Sequence, residues 1–197
     1  MESGRLEAFT DGVIAVIITI MVLELKAPHA ATFEALVQSW PLFVSYVLSF
    51  IYVGIYWNNH HHLLSLPKVV NGKIMWANLF FLFWLSLFPF TTSWLAEAAP
   101  IPQPIPTAVY GFVLLMAALS WIPLLRFLIS ANGGPTGELA NAVRSKWKEY
   151  GSVVIYAVAI LAALFLSPIV ACVLYAAVAA MWFVPDRRIE KKVVEES

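Results

Sequence analysis

Charge is what this sequence has least of. Of its 197 residues, 12% are Asp, Glu, Lys or Arg, whereas 61% are hydrophobic. A soluble domain carries about 25% charged residues. With half that coat, the chain cannot face water on all sides, and lipid must be part of its solvent. Positive and negative side chains balance to a formal net charge of zero, which gives no footing to nucleic acid or an acidic partner. Cysteine is all but absent. Cys172 stands alone in an apolar run, so neither an internal disulfide nor a cysteine metal cluster is possible. A secretory leader is not expected either, because the opening MESGRLEAFTDG is polar and acidic where such a leader is basic.

Long apolar runs take the place of charge. A helix needs roughly 20 mainly apolar residues to cross a bilayer core. Runs of that kind extend from about Phe9 to Leu25, Ala35 to Trp57, Ile74 to Ala96, Ile105 to Ile129 and Tyr150 to Val184. The last has about twice the length of one span, with Ser167-Pro168 at its middle. A proline there removes a helical hydrogen bond and crowds the preceding turn, so the run reads as a tight hairpin. The expectation is an all-α integral membrane protein with one six-helix domain, its helices at about 5–26, 34–63, 72–97, 104–130, 147–167 and 168–188.

Basic residues orient it. Arg5, Lys68, Lys73, Arg126, Arg144, Lys146, Lys148, Arg187, Arg188, Lys191 and Lys192 all fall on one side of a six-span chain, and only Lys26 falls on the other. Cytoplasmic loops carry the excess of Lys and Arg. The reading is a multi-pass protein of the cell (inner) membrane with both termini cytoplasmic. The proline-rich AEAAPIPQPIPTA then makes a short external linker. The Thr136–Lys148 part of the longest polar loop is a candidate amphipathic helix at the cytoplasmic interface, and DRRIEKKVVEES a helical extension into water.

Polar and ionisable groups within spans are costly, so each needs a partner or a wet cavity. They gather in helix one (Arg5, Glu7, Asp11, Thr19, Glu24) and at the end of helix two, YWNNHHHLL. Both regions lie in the same half of the membrane, which brings Asp11 within reach of the histidines. Three readings of His60–His62 compete. Successive helical residues point about 100° apart, so three imidazoles cannot share one metal; His29 belongs to the other side, and no second histidine box exists. A proton-sensing role follows from a titration range near neutrality. The favoured reading is structural, with the rings satisfying buried polar groups such as Asp11 and helix-end carbonyls. On helix one, Val16, Ile20 and Leu23 fall within about 60° of each other, flanked by Gly12 and Thr19, while Asp11 points the opposite way. Taken alone, such a stripe is more often lipid-facing or packing surface than pore lining.

Arg5 to Gly12, R-L-E-A-F-T-D-G, followed by V-I-A-V-I-I-T-I-M-V-L-E-L, resembles the first helix of the bacterial TMEM175 family, whose signature reads R-x-x-x-F-S-D-G. Trp57, the histidines after it, and N-L-F-F-L-F-W-L-S-L-F-P-F (Asn78 to Phe90) extend the likeness over roughly residues 5–95. The resemblance implies a potassium-permeable channel rather than an enzyme: a homotetramer in which helix one of each subunit lines a central pore. Its permeant species are monovalent cations, and it needs no cofactor, no metal and no nucleic acid. The family lacks the T-V-G-Y-G filter, as does this chain. Aliphatic rings at Val16, Ile20 and Leu23 are implied as the constriction, with Thr19 as a hydroxyl ring. Arg5, Phe9, Thr10, Asp11 and Gly12 match the signature, which packs against helices two and three near Trp57, His60 and His61. Thr10 stands where serine is usual, and both supply a hydroxyl. The rival readings are a proton-coupled transporter or a proton-leak channel using Asp11 and His60–His62, and a histidine-box enzyme.

Val16 stands where isoleucine or leucine is common in the narrowest ring. Valine is one methylene shorter, so a wider opening and weaker potassium selectivity are predicted. Reversal potentials in potassium and sodium should separate wild type from Val16→Ile; identical values would count against the assignment.

Overall fold

The computed structural model describes residues 3–28, 30–65, 67, 69–97, 101–142 and 147–183. His29, Lys68, the basic pair Arg144 and Lys146, the last turn assigned to helix six and the tail beyond it lie outside the described residues.

Helix α1 spans Ser3–Leu23 and buries one stripe, Leu6, Thr10, Ile14, Ile17 and Met21, at the spacing of a single helical face. The second segment is divided rather than continuous. A short α2, Phe33–Gln38, is capped by the Thr32 hydroxyl, which accepts from the Ala35 amide at 3.2 Å. The chain turns at Ser39, and α3 runs over Trp40–Ser65. Pro41 explains the break: it has no amide to offer Val37, and its ring crowds that carbonyl. The third segment is divided for the same reason. Helix α4, Gly72–Leu85, starts at an Asn71 cap and ends at Ser86; α5, Phe88–Glu97, resumes around Pro89, whose ring excludes a straight path past Leu85. Pro104 opens α6, Pro104–Ala131, where its missing amide costs nothing, and Pro123 is carried inside that helix.

Gly133 and Gly134, with φ of 92° and 65°, end α6 in the left-handed region that glycine alone enters cheaply. A single 3-10 turn at Gly134–Thr136 and a five-residue α7, Glu138–Ala142, follow. Helix α7 covers part of the stretch Thr136–Lys148 in which an amphipathic helix is expected, and residues 143–146 of that stretch lie outside the described residues. The expected hairpin is observed: α8, Trp147–Phe165, and α9, Pro168–Phe183, are separated by Leu166 and Ser167. Trp182 Nε1 donates to Ser152 Oγ at 2.8 Å, bringing the end of α9 back beside the start of α8.

Among the described residues, five segments are long and apolar enough to cross a membrane: Ser3–Leu23, Trp40–Ser65, Gly72–Glu97 (α4 and α5 together), Pro104–Ala131 and Trp147–Phe165. Pro168–Phe183 is apolar but shorter. Helix α6 is the hub, packed against α4, α5, α8 and α9, while α1 lies against α3, α4 and α5.

The helices meet through hydroxyls as well as alkyl groups. Tyr52, Tyr110, Tyr156 and Tyr175 are all buried. The Tyr52 hydroxyl donates to the Tyr175 carbonyl at 2.6 Å, and the Tyr175 hydroxyl to the Thr107 carbonyl at 3.2 Å. Ser49 Oγ lies 3.0 Å from the Tyr110 hydroxyl and accepts from Thr92 Oγ1 at 2.7 Å. In a bilayer, where water cannot satisfy polar atoms, these bonds pin helix to helix. Tyr175 reaches Thr107 across Gly111, where a Cβ would collide with the phenol end. Gly111→Ala is therefore expected to destabilise the fold by about 1–3 kcal/mol, read as a lowered melting temperature in detergent. Adding Tyr175→Phe should recover part of that loss.

Candidate functional site: helix one and its polar anchors

Glu7, Thr10 and Asp11 of α1 reach neighbouring helices on one side. Thr10 is fully buried, and its Oγ1 accepts from Asn78 Nδ2 of α4 at 2.9 Å. With its amide group turned to Thr10, Asn78 presents Oδ1 to His60 Nε2 of α3 at 2.8 Å. An amide oxygen only accepts, so His60 carries its proton on Nε2. Three helices are joined by two buried hydrogen bonds. The His60 ring lies nearly parallel to Phe81 and edge-on to Trp121, sealing the link under aromatic cover.

Beside this link, two more contacts tie α1 to α3. Asp11 Oδ1 accepts from Trp57 Nε1 at 2.9 Å, and Glu7 Oε1 lies 2.6 Å from His61 Nδ1. His60 and His61 take polar partners, but neither partner is Asp11: His60 meets Asn78, His61 meets Glu7, and Asp11 takes an indole. At the opposite end of the helix, Glu24 Oε2 accepts from Ser93 Oγ of α5 at 3.1 Å. Arg5 and Gly12 are exposed, and Phe9 is half exposed, so this part of the signature faces outward. Among the described residues, no three His, Cys, Asp or Glu side chains come together as metal ligands.

The other face of α1 is apolar and uncovered. Val16 is 54% exposed, Ile20 43% and Leu23 76%, at positions i, i+4 and i+7. Thr19 lies beside them, exposed, its hydroxyl donating to the Val16 carbonyl at 2.8 Å. That bond occupies the proton and leaves oxygen lone pairs directed outward.

Sequence reasoning passed over Asn78, quoting it only as the first letter of an aromatic-rich stretch. The available signal was its chemistry, since a carboxamide in an otherwise apolar span needs a partner. It did not say which helix supplies one.

Long apolar helices cross-linked by buried polar groups define a polytopic α-helical membrane protein. The profile of the family described as "Endosomal/lysosomal potassium channel TMEM175" matches residues 5–89. A potassium channel of Chryseobacterium sp. (strain P1-3) is 48% identical over 195 residues, covering 99% of this chain and 100% of its own. One from Streptomyces collinus is 38% identical over 126 residues, 61% of each chain. The crystal structure of a lysosomal potassium-selective channel TMEM175 homolog from Chamaesiphon minutus superposes with a TM-score of 0.80 at 26% identity, over 92% of this chain and 96% of that one. The chain belongs to the TMEM175 family.

Thr10 is needed for its hydroxyl. Thr10→Val, which keeps volume but strands the Asn78 amide, should cost about 1–3 kcal/mol. Thr10→Ser should cost no more than the one buried methyl, about 0.8 kcal/mol. Thermal melting of the two variants in detergent ranks them; the reverse order would rule out the hydroxyl as the anchor.

Proposed function

We propose that this protein is a potassium-permeable cation channel, acting by passive conduction through a pore on the axis of a homotetramer. In this reading the chain makes six spans of the cell (inner) membrane, with Pro168–Phe183 as the last; an even count puts both termini on one side, and the excess of Lys and Arg there makes that side the cytoplasm. The family is one of ion channels rather than enzymes.

The observation carrying this reading is the two-sidedness of α1. Every polar anchor of the helix is drawn to α3, α4 or α5, and the aliphatic stripe is left on the outer surface of the subunit. Four copies meeting along that stripe bring Val16, Ile20 and Leu23 into successive rings around the axis. A narrow aliphatic throat is unfavourable for water and gates by dewetting. Potassium sheds its hydration shell more readily than sodium, so such a throat favours it without a cage of carbonyls. Thr19, its proton engaged by the backbone, offers lone pairs that replace some lost water contacts. Arg5, Phe9 and Gly12 sit on the outward side of the same helix, where neighbouring subunits meet.

Potassium is the permeant species, and no cofactor enters the mechanism. A proton relay through Asp11 and the histidines has weaker support. Asp11 bonds to an indole, His60 to a carboxamide and His61 to Glu7, three separate contacts rather than a chain.

Ile20→Ala and Leu23→Ala are expected to raise conductance severalfold or erode potassium preference in planar-bilayer recordings under asymmetric potassium and sodium. Leu161→Ala and Val173→Ala, exposed apolar positions on α8 and α9, should leave currents as in wild type. Unaltered currents in both α1 variants would refute the pore assignment.

A further inference from the structure

A groove of about 1010 Å³ runs between the start of α4 and the end of α6. Pockets for sizeable ligands span roughly 300–1,000 Å³, so this one admits more than a few waters. Its lining is apolar over most of its length, with Trp76, Phe80, Pro123 and Phe127 contributing, and Lys73 and Asn71 stand at one end. Among the described residues, no carboxylate lines it. Asn71 caps α4 through Oδ1, which accepts from the Ile74 amide at 3.1 Å, and this leaves its Nδ2 donor at the groove mouth.

The order of chemistry along the groove matches a lipid. Lys73 is exposed, and one turn further along α4 Trp76 is 75% exposed. A lysine followed by an indole is the pairing found where headgroups meet hydrocarbon. Phe80 lies about 10 Å beyond Lys73 along the helix, well into one leaflet of a core about 30 Å thick. The groove therefore starts cationic at headgroup depth and continues apolar at acyl depth. Pro123, with its short ring and without an amide, gives α6 a shallow flank along that path.

We propose that this groove is a site for one anionic glycerophospholipid of the leaflet on the α4 N-terminal side. Its phosphate lies against Lys73 and Asn71 Nδ2, and one acyl chain lies between Trp76, Phe80 and Phe127. The cationic mouth selects an anionic headgroup over a zwitterionic one, because the choline ammonium gains nothing there and meets Lys73 as a like charge. The proposal rests on membrane insertion and is independent of the pore assignment, so an effect on lipid binding and an effect on currents are read separately.

Native mass spectrometry of the full chain, released from vesicles of equal phosphatidylglycerol and phosphatidylcholine with matched acyl chains, tests it. Wild type should retain phosphatidylglycerol preferentially. Lys73→Gln should reduce that preference roughly fivefold, with phosphatidylcholine retention unchanged, and Lys73→Arg should restore it. Ser130→Trp, which fills the groove, should lower retention of both lipids, and gives an independent reading if Lys73→Gln does not fold. Arg126→Gln is the control, because Arg126 lines a different crevice, beside Glu149 and Tyr150. Equal retention by wild type and Lys73→Gln overturns the site. So does an equal loss from Arg126→Gln, which would show only a diffuse surface potential. A Ser130→Trp protein with unchanged lipid but altered assembly size would assign the groove to a second copy of the chain and overturn the proposal as well.

Discussion

A rod standing beside a bundle is free to turn about its own axis unless something fixes its rotation, and in α1 that constraint is the buried link from Thr10 through Asn78 to His60. Apolar packing alone gives weak preference between rotational settings in a membrane, because lipid tails solvate alkyl groups as well as other alkyl groups do. A hydroxyl, a carboxamide and an imidazole allow one setting, since any rotation strands donors in hydrocarbon. Everything assigned to the opposite face follows. With Thr10 held inward, Val16, Ile20 and Leu23 have no place inside the subunit.

The same principle runs through the other helices with different residues. Tyrosines combine an aromatic body that fills space with a hydroxyl that seeks an acceptor, and four of them are buried where α3, α6, α8 and α9 meet. Their bonds go to carbonyls of Tyr175 and Thr107 and to Ser49, so these are helix-to-helix attachments rather than an ionisable site. At the loop end, the Asn132 side chain grips Val69 from both sides, donating to its carbonyl and accepting from its amide at 3.1 and 3.0 Å. The α3–α4 connection is thereby fastened to the end of α6.

Much of this was readable from the amino acids. Low charge and the apolar runs give a membrane bundle, Pro168 gives the α8–α9 turn, and i, i+4, i+7 spacing isolates the α1 stripe. What spacing alone left open was whether that stripe meets lipid, another helix or a pore, because alkyl side chains suit all three. The breaks at Ser39 and after Leu85 were harder to place. Pro41, Pro89 and Pro123 look alike as letters, yet α6 carries its proline within one helix while the other two mark divisions. Which outcome prevails depends on whether neighbouring helices hold the chain straight, and that is tertiary information. Asn78 was hidden for a related reason: its partners lie 68 and 18 residues away in sequence.

The interruption between α4 and α5 also bears on how α1 is held. Thr10 is attached to α4 and Glu24 to α5, so the two attachments sit on opposite sides of a knuckle at Ser86 and Leu87. A beam fastened at both ends to a single stiff strut cannot lean without tearing a fastening. Fastened to two struts that meet at a joint, and to α3 besides through Glu7 and Asp11, it is held against segments that are not one rigid piece.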